Sequence, residues 1–210
     1  MLANGLLAMS VLTIAGDLGI EAEEIGRKVA DAAGMAYVDA SALLELGKQL
    51  HPEITVADEV EALERRIGGQ LTKLALGLAI SAGAWPATRE LEFRAAMPDL
   101  AREVALRAAE SPAVIQASAA FAALGDRRGA IHVRLWAPRA WRVEQHHRSA
   151  MIDRATAEEA VRADDHLQRT WVRSLYGVDL DDLHRFMLSF DVSRIHRDRI
   201  VASLVGLVGA

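Results

Sequence analysis

The feature that most constrains the fold is an apolar run near the N-terminus that leads through glycines into an amphipathic segment. Residues 11–15 read Val-Leu-Thr-Ile-Ala, and Gly16 ends the run. A short apolar run of this kind is typical of a strand that is buried on both faces. Ile25 and Val29 then recur at helical spacing, and Gly34 ends the pattern. A buried strand followed by a helix predicts a parallel sheet covered by helices on both faces.

The rest of the chain continues this alternation of strands and helical segments. Further strands are predicted at residues 36–38, 113–117, 130–136 and 187–192. Residues 41–110 have an almost wholly helical pattern, in which Pro98 is expected to begin a helix that Ser111 and Pro112 end. We therefore predict one α/β domain over residues 1–210, with three layers. Its core covers about residues 10–40 and 98–210, and helical segments cover about residues 41–97 and 139–175.

The composition excludes several classes of protein. The 210 residues are 51% hydrophobic, which is enough for one substantial core, and the net charge of −5 gives no general attraction to nucleic acid. Cysteine is absent, so disulfides and thiolate metal sites are excluded and a reducing, cytoplasmic location is expected. The apolar N-terminal residues have no Lys or Arg before them and soon meet Asp17, which fits neither a signal peptide nor a membrane span.

Several short segments resemble one known family. Residues 12–25, Leu-Thr-Ile-Ala-Gly-Asp-Leu-Gly-Ile-Glu-Ala-Glu-Glu-Ile, are similar to the opening of cytidylate-kinase-like proteins, a branch of the P-loop nucleoside monophosphate kinases. The later segments follow in the order of the family: residues 99–102 with 113–117, residues 131–138 with Arg142, residues 158–160 with Asp165, and residues 176–179 with 186–195. The resemblance covers nearly the whole chain and implies a three-layer P-loop kinase-like fold. In such a fold, residues 41–97 would be the helical monophosphate-binding-like insertion and residues 139–175 the lid-like segment.

The resemblance also implies an activity. Such kinases transfer the γ-phosphoryl group of ATP to CMP or dCMP, using a phosphate loop, a helical monophosphate-binding region and a lid that carries arginines. ATP and Mg²⁺ are therefore the expected cofactors if the chain is active, and CMP or dCMP is the expected nucleotide partner. The residues leave open whether the chain forms a homo-oligomer.

The segment that would form the phosphate loop departs from the family pattern. The resemblance assigns nucleotide binding to Gly16, Gly19, Glu21 and Ala22, but residues 20–24 read Ile-Glu-Ala-Glu-Glu where the family tends to have small and glycine residues. The segment also lacks the Lys that usually joins the backbone N–H groups in holding phosphates. One carboxylate about 4 Å from a phosphate charge costs about 4 kcal/mol at an effective dielectric near 20. The segment therefore predicts weak ATP binding.

Arginine is concentrated in the lid-like segment. From Arg127 to Arg173 there are ten arginines and no lysine, a bias that suits planar contacts with phosphate or carboxylate. By resemblance, the catalytic candidates are Arg142, Arg169, Arg173 and Asp165. Structural pairing is the alternative interpretation, because Asp165 precedes Arg169 by four residues, the spacing of an ion pair within a helix.

Two departures from the family pattern affect these phosphate contacts. The family often has an arginine three residues after the aspartate, where this chain has Gln168. It commonly has a glycine and an arginine at the end of the third strand, where this chain has Ala117 and Ser118.

The start of a helix is marked within the lid-like segment. Residues 156–159 read Thr-Ala-Glu-Glu, which resembles a capping box.

Asp191 follows the last predicted strand, where the resemblance implies a position near the adenine of the nucleotide. A polar cap at the strand end is the alternative interpretation. The seven histidines show no spacing typical of metal ligands, so no metal site is predicted.

Two functions from different classes are consistent with these residues. One is a nucleoside monophosphate kinase, in which arginines and Mg²⁺ neutralise the transferring phosphoryl group. The other is a non-catalytic member that keeps the fold for nucleotide sensing or protein association. The segment from Gly16 to Glu24 distinguishes them, since a kinase must place three phosphates and Mg²⁺ there, and its residues favour the non-catalytic interpretation.

Overall fold

The computed structural model of the chain describes residues 11–50 and 87–209. Within these residues, five strands form one sheet: β1 (Val11–Gly16), β2 (Ala36–Val38), β3 (Ala113–Gln116), β4 (Ala130–Trp136) and β5 (Leu188–Asp191). The helices are α1 (Ala22–Ala33), α2 (Ala40–Leu50), α3 (Ala87–Ala108), α4 (Ala120–Leu124), α5 (Arg139–Ala150), α6 (Arg154–Tyr176) and α7 (Arg197–Val208), with a 3₁₀ turn at Leu183–Arg185. Residues 51–86 of the predicted insertion lie outside the described part of the chain.

The sheet is parallel, as the sequence predicted, and β1 is its central strand. The strand order is β2-β3-β1-β4-β5, and Val11 is level with Ala113 of β3 on one side and Ala130 of β4 on the other. Every residue of β1 is buried, which is why its sequence shows no polar alternation. The carboxyl end of β1 therefore opens at the middle of the sheet edge, between two parallel neighbours.

Helices cover both faces of the sheet and complete three layers. On one face, Leu12 and Ile14 pack with residues of α1 and α7, including Ile25, Ile200 and Leu204. The opposite face packs against α3 and α4, through Val11, Ala105, Ala113, Ile115, Ala120 and Leu124. The two faces receive alternate residues of β1, as the pleat of a strand requires.

The helices α5 and α6 occupy the segment that was predicted to be a lid. They pack on each other through Val143, Ala157 and Val161, and Leu18 from the loop after β1 joins this cluster. The lid-like helices are thus in contact with the loop that follows the central strand. Among the helices of the described residues, none combines the length and the apolar character needed to cross a bilayer.

Three local predictions are wrong in detail. Pro98 does not begin a helix but lies inside α3, because the good helix formers before it outweigh the one backbone hydrogen bond that a proline removes. The cap of α6 is Asp153 and not Thr156: the Asp153 carboxylate accepts hydrogen bonds from the Thr156 N–H and hydroxyl at 3.0 and 2.6 Å. The third strand ends at Gln116, one residue earlier than predicted.

Candidate functional site

Residues 17–21 connect β1 to α1 at the carboxyl edge of the sheet, the edge at which parallel α/β sheets bind their ligands. Both predicted loop glycines are required by close contacts. A Cβ on Gly16 would lie 2.5 Å from the Cβ of Ala22, and a Cβ on Gly19 would overlap the carbonyl oxygen of Arg142. Gly19 also has φ +88°, which L-residues rarely adopt. The loop is therefore packed tightly between α1 and α5.

Two apolar side chains of the loop anchor it on opposite sides. Ile20 is fully buried in the core beneath α1 and α7. Leu18 packs in the other direction, against Val143 and Val161 of the lid-like helices. These anchors tie the loop to the core of the sheet on one side and to the lid-like helices on the other.

Glu21 stands at the start of α1, where a phosphate loop receives its anion. Its backbone is left-handed, at φ 59° and ψ 42°, and its side chain makes no cap hydrogen bond to α1. The carboxylate instead forms an ion pair with Arg197, the first residue of α7, which also donates to Glu24 at 2.9 Å. The partner of Glu21 therefore lies on α7 and not on the lid-like helices.

Six side chains near the loop, four of them buried, form a closed circuit of alternating charge, which we name the charge ring. The side chains of Asp17, Arg134, Arg142 and Asp165 are only 1–7% exposed. The ring runs Arg134–Asp17 at 2.6 Å, Asp17–Arg142 at 4.0 Å, Arg142–Asp165 at 2.9 Å, Asp165–Arg169 at 3.2 Å, Arg169–Asp181 at 2.6 Å and Asp181–Arg134 at 3.6 Å. The ring itself therefore balances three arginines with three aspartates, and a fourth arginine, the exposed Arg139, lies outside it with Nε 3.4 Å from Asp165 Oδ2.

The ring holds Asp165 in its ionised form. Burial alone would raise the pKa of Asp165, but the hydrogen bonds and charge of Arg142, with the charge of Arg169, lower the pKa below its ordinary value. The pKa of Arg169 is raised: burial opposes this, and the hydrogen bond to Asp181 is the main cause of the rise. Since each guanidinium already has carboxylate partners, a phosphate would have to displace one of them.

The two departures from the family pattern, Ser118 and Gln168, contact each other. The Ser118 hydroxyl donates to Gln168 Oε1 at 2.5 Å, and Gln168 Nε2 donates to Asp164 Oδ2 at 2.5 Å. Asp164 Oδ2 also accepts the backbone N–H of Leu18 at 3.2 Å. The end of β3, the helix α6 and the loop are therefore joined by one line of hydrogen bonds.

The structure brings some predicted site residues together and separates others. Gly19, Arg142, Asp165 and Arg169 meet around the loop, while Glu21 and Ala22 lie at the start of α1. Two others lie apart from the ring: Arg173 pairs with Asp179 at 2.7 Å on the surface, and Asp191 accepts hydrogen bonds from the backbone and hydroxyl of Ser193.

Sequence reasoning missed Asp17, Arg134, Asp164, Asp181 and Arg197. One signal could have found Arg134, because an arginine within a strand next to the central one needs a buried anion, and Asp17 directly follows β1. The other partners approach from distant parts of the chain and leave no local pattern.

These residues do not fit ATP with Mg²⁺ in the described conformation. The Leu18 N–H is hydrogen-bonded to Asp164, and the three arginines of the charge ring are bound to aspartates. Glu21 lies where phosphate charge would enter. Lys28 pairs with Glu24 at 2.8 Å, on the side of α1 that faces α7. Within residues 11–50 and 87–209, no group of three or more metal-ligating side chains comes together.

Comparison with solved structures supports the fold. An uncharacterized protein from Eubacterium ventriosum has a TM-score of 0.63 at 13% identity, over 96% of this chain and 98% of that one. A gluconokinase from Sinorhizobium meliloti has a TM-score of 0.51 at 15% identity, over 96% and 93%. A shikimate kinase from Bacteroides thetaiotaomicron has a TM-score of 0.51 at 13% identity, over 96% and 97%. At such identities the likeness shows the fold alone.

Sequence comparison identifies the family. No curated protein matches the chain. The model of the Cytidylate kinase-like family, however, matches residues 11–194, from the first residue of β1 to the turn after β5. This match and the parallel three-layer fold confirm the fold class and the resemblance seen in the sequence. The chain therefore belongs to the cytidylate kinase-like family.

Proposed function

We propose that this chain is a non-catalytic member of the family, a binding module that keeps the kinase fold without transferring a phosphoryl group. The observation that carries the proposal is Glu21. Its carboxylate lies at the N-terminus of α1 in an ion pair with Arg197, and the next residue is the buried Ala22. A phosphate loop usually has a lysine in this region, so the position offers negative charge where positive charge is needed.

Catalysis of phosphoryl transfer depends almost entirely on positioning and on neutralisation of charge. The three arginines of the charge ring are each bound to an aspartate, so the six side chains of the ring carry no excess positive charge. The exposed Arg139 is paired as well, with Asp165. Freeing a ring arginine would strand a buried carboxylate, at a cost of about 3–5 kcal/mol for a buried pair. Weak nucleotide binding is compatible with this arrangement; efficient catalysis is not.

Transfer of the γ-phosphoryl group from ATP to CMP or dCMP is the competing function. Family membership supports it, as do the arginines of α5 and α6. For this function, the lid-like helices would have to move so that Arg142 and Arg169 exchange their aspartates for phosphate. Asp165 would then need a new partner in the same step.

The test is an ADP-release assay with MgATP and each of CMP, dCMP, UMP and AMP. The proposal predicts no ADP release above a reaction without acceptor. Arg142→Lys keeps the positive charge but loses the bidentate contact. A nucleotide-dependent rate that falls in this variant would establish the kinase function and overturn the proposal. A rate that is the same in the wild type and in Arg142→Lys would come from a contaminating kinase.

A further inference from the structure

The backbone N–H of Leu18 lies in the loop after the central strand, where a nucleotide-binding loop directs its N–H groups at phosphate. In this chain the Leu18 N–H donates to Asp164 Oδ2 at 3.2 Å. Asp164 belongs to α6, 146 residues later in the chain, and is buried. A carboxylate of the protein itself is therefore bound at a position suited to an anion from a ligand.

A second residue of α6, Gln168, fixes the position of the Asp164 side chain. Gln168, one turn later on α6, donates its amide N–H to the same carboxylate oxygen at 2.5 Å. The amide oxygen of Gln168 is in turn occupied by the Ser118 hydroxyl at 2.5 Å, from the segment that follows β3. The direction of each hydrogen bond is determined, because Asp164 can only accept when ionised and Ser118 then donates. Gln168 thus orients Asp164 towards the loop.

Leu18 contacts the lid-like helices with its side chain, its carbonyl oxygen and its N–H. Its side chain packs against Val143 and Val161, and its carbonyl oxygen accepts a hydrogen bond from Arg142 Nη1 at 3.4 Å. The loop and the two helices therefore separate only if the apolar contact and both backbone hydrogen bonds break together. The contact between the loop and the lid-like helices therefore forms and breaks cooperatively.

We propose that Asp164 is an autoinhibitory contact, an internal substitute for a bound anion that holds α6 against the loop. An anionic ligand reaches the Leu18 N–H only when Asp164 leaves it, and Asp164 leaves only when α6 moves. This proposal is independent of the function proposed above, because it concerns access to the loop and not phosphoryl transfer. A purely structural hydrogen bond would instead fix the helix without governing anion binding.

The test uses the full chain, Asp164→Ala and the matched control Glu158→Ala, which removes an exposed carboxylate from the same helix. The first measurement is amide hydrogen exchange at Leu18 by NMR. We expect exchange at Leu18 to quicken about tenfold or more in Asp164→Ala and to stay unchanged in the control. Unchanged exchange in a folded Asp164→Ala variant would overturn the proposal.

The second measurement is a titration with inorganic pyrophosphate, followed at the Leu18 amide resonance. We expect a saturable shift in Asp164→Ala and no shift in the wild type or in Glu158→Ala. If Asp164→Ala does not fold, Asp164→Leu, which fills a similar volume but has no acceptor for the Leu18 N–H, takes its place, and a shift is again expected. A shift of equal size in the wild type, or none in either folded Asp164 variant, would show that Asp164 does not exclude anions and would reject the proposal.

Discussion

Arg142 and Asp165 face each other between the two lid-like helices and share two hydrogen bonds of 2.9 Å each. Both side chains are buried, so neither charge has access to bulk water. A paired geometry of this kind gives direction as well as energy to the contact between α5 and α6. The pair also links the loop to α6, since the Arg142 side chain donates to the Leu18 carbonyl and its backbone contacts Gly19.

The first prediction concerns the cost of breaking this pair. Asp165→Asn removes the charge opposite Arg142, and we expect the free energy of unfolding to fall by about 3–5 kcal/mol because the buried guanidinium loses its hydrogen-bonded carboxylate. Asp17, at 4.0 Å, is the carboxylate that remains. Asp179→Asn is the control, since Asp179 pairs with Arg173 on the surface, where such pairs contribute about 0–1 kcal/mol. Urea unfolding of both variants measures the difference. Equal losses would contradict the role given to burial.

The second prediction is a pH dependence of stability. The pKa of Asp165 is lower in the folded chain than its ordinary value of 3.8. The unfolded chain therefore takes up this proton first as the pH falls, so the stabilisation by Asp165 is complete well above pH 3.8 and is lost below it. Urea unfolding at a series of pH values should show this loss in the wild type. The part due to Asp165 should be missing in Asp165→Asn; identical acid profiles would refute the assignment.

The third prediction compares two glycines with positive φ. Gly19→Ala should destabilise the chain more than Gly34→Ala, because a Cβ at Gly19 overlaps the backbone of Arg142, while a Cβ at Gly34 meets no atom within 4 Å. Both variants carry the left-handed backbone cost of about 1–2 kcal/mol. Overpacking adds about 1–3 kcal/mol at Gly19 alone. Thermal unfolding of both variants gives the comparison, and a similar melting temperature for the two would argue against the tight contact.

The fourth prediction is the affinity for ATP. We expect the dissociation constant of MgATP to be about 100 μM or higher, since the carboxylates of Glu21 and Asp164 lie at the loop and the arginines of the charge ring are already paired. Isothermal titration calorimetry measures it directly. A low-micromolar value would mean that the charge ring opens far more easily than its burial suggests.

The fifth prediction concerns the start of α1. The double change Glu21→Gly with Ala22→Lys removes a negative charge, relieves a left-handed backbone and adds a cation at a helix N-terminus, so ATP affinity should rise. Stability should change little, because Arg197 retains Glu24 as a partner. Calorimetry and melting temperature are measured on the same protein, with Glu21→Gln as the control for charge alone. Unchanged affinity together with lost stability would indicate that Glu21 is an essential structural partner of Arg197.

Local patterns were sufficient to predict β1, α1 and the parallel sheet, because burial on both faces and helical periodicity are written in adjacent residues. The charge ring could not be predicted in the same way. In β4, His132 and Arg134 alternate with Val133 and Leu135, a period that usually marks a side facing solvent. Arg134 is nevertheless buried, because Asp17 supplies a carboxylate from 117 residues away in the chain. Such pairing is a property of the fold and not of either segment.

The central position of β1 has a consequence for how the chain is made. Its two sheet neighbours begin at Ala113 and Ala130, so this fully buried strand is synthesised about a hundred residues before either of the strands that pair with it. Pairings so distant in sequence slow folding, and unpaired apolar strands promote aggregation. Until both neighbours have been synthesised, Val11, Leu12 and Ile14 lack part of the sheet that buries them, so this strand is the segment of the growing chain that most needs protection from aggregation.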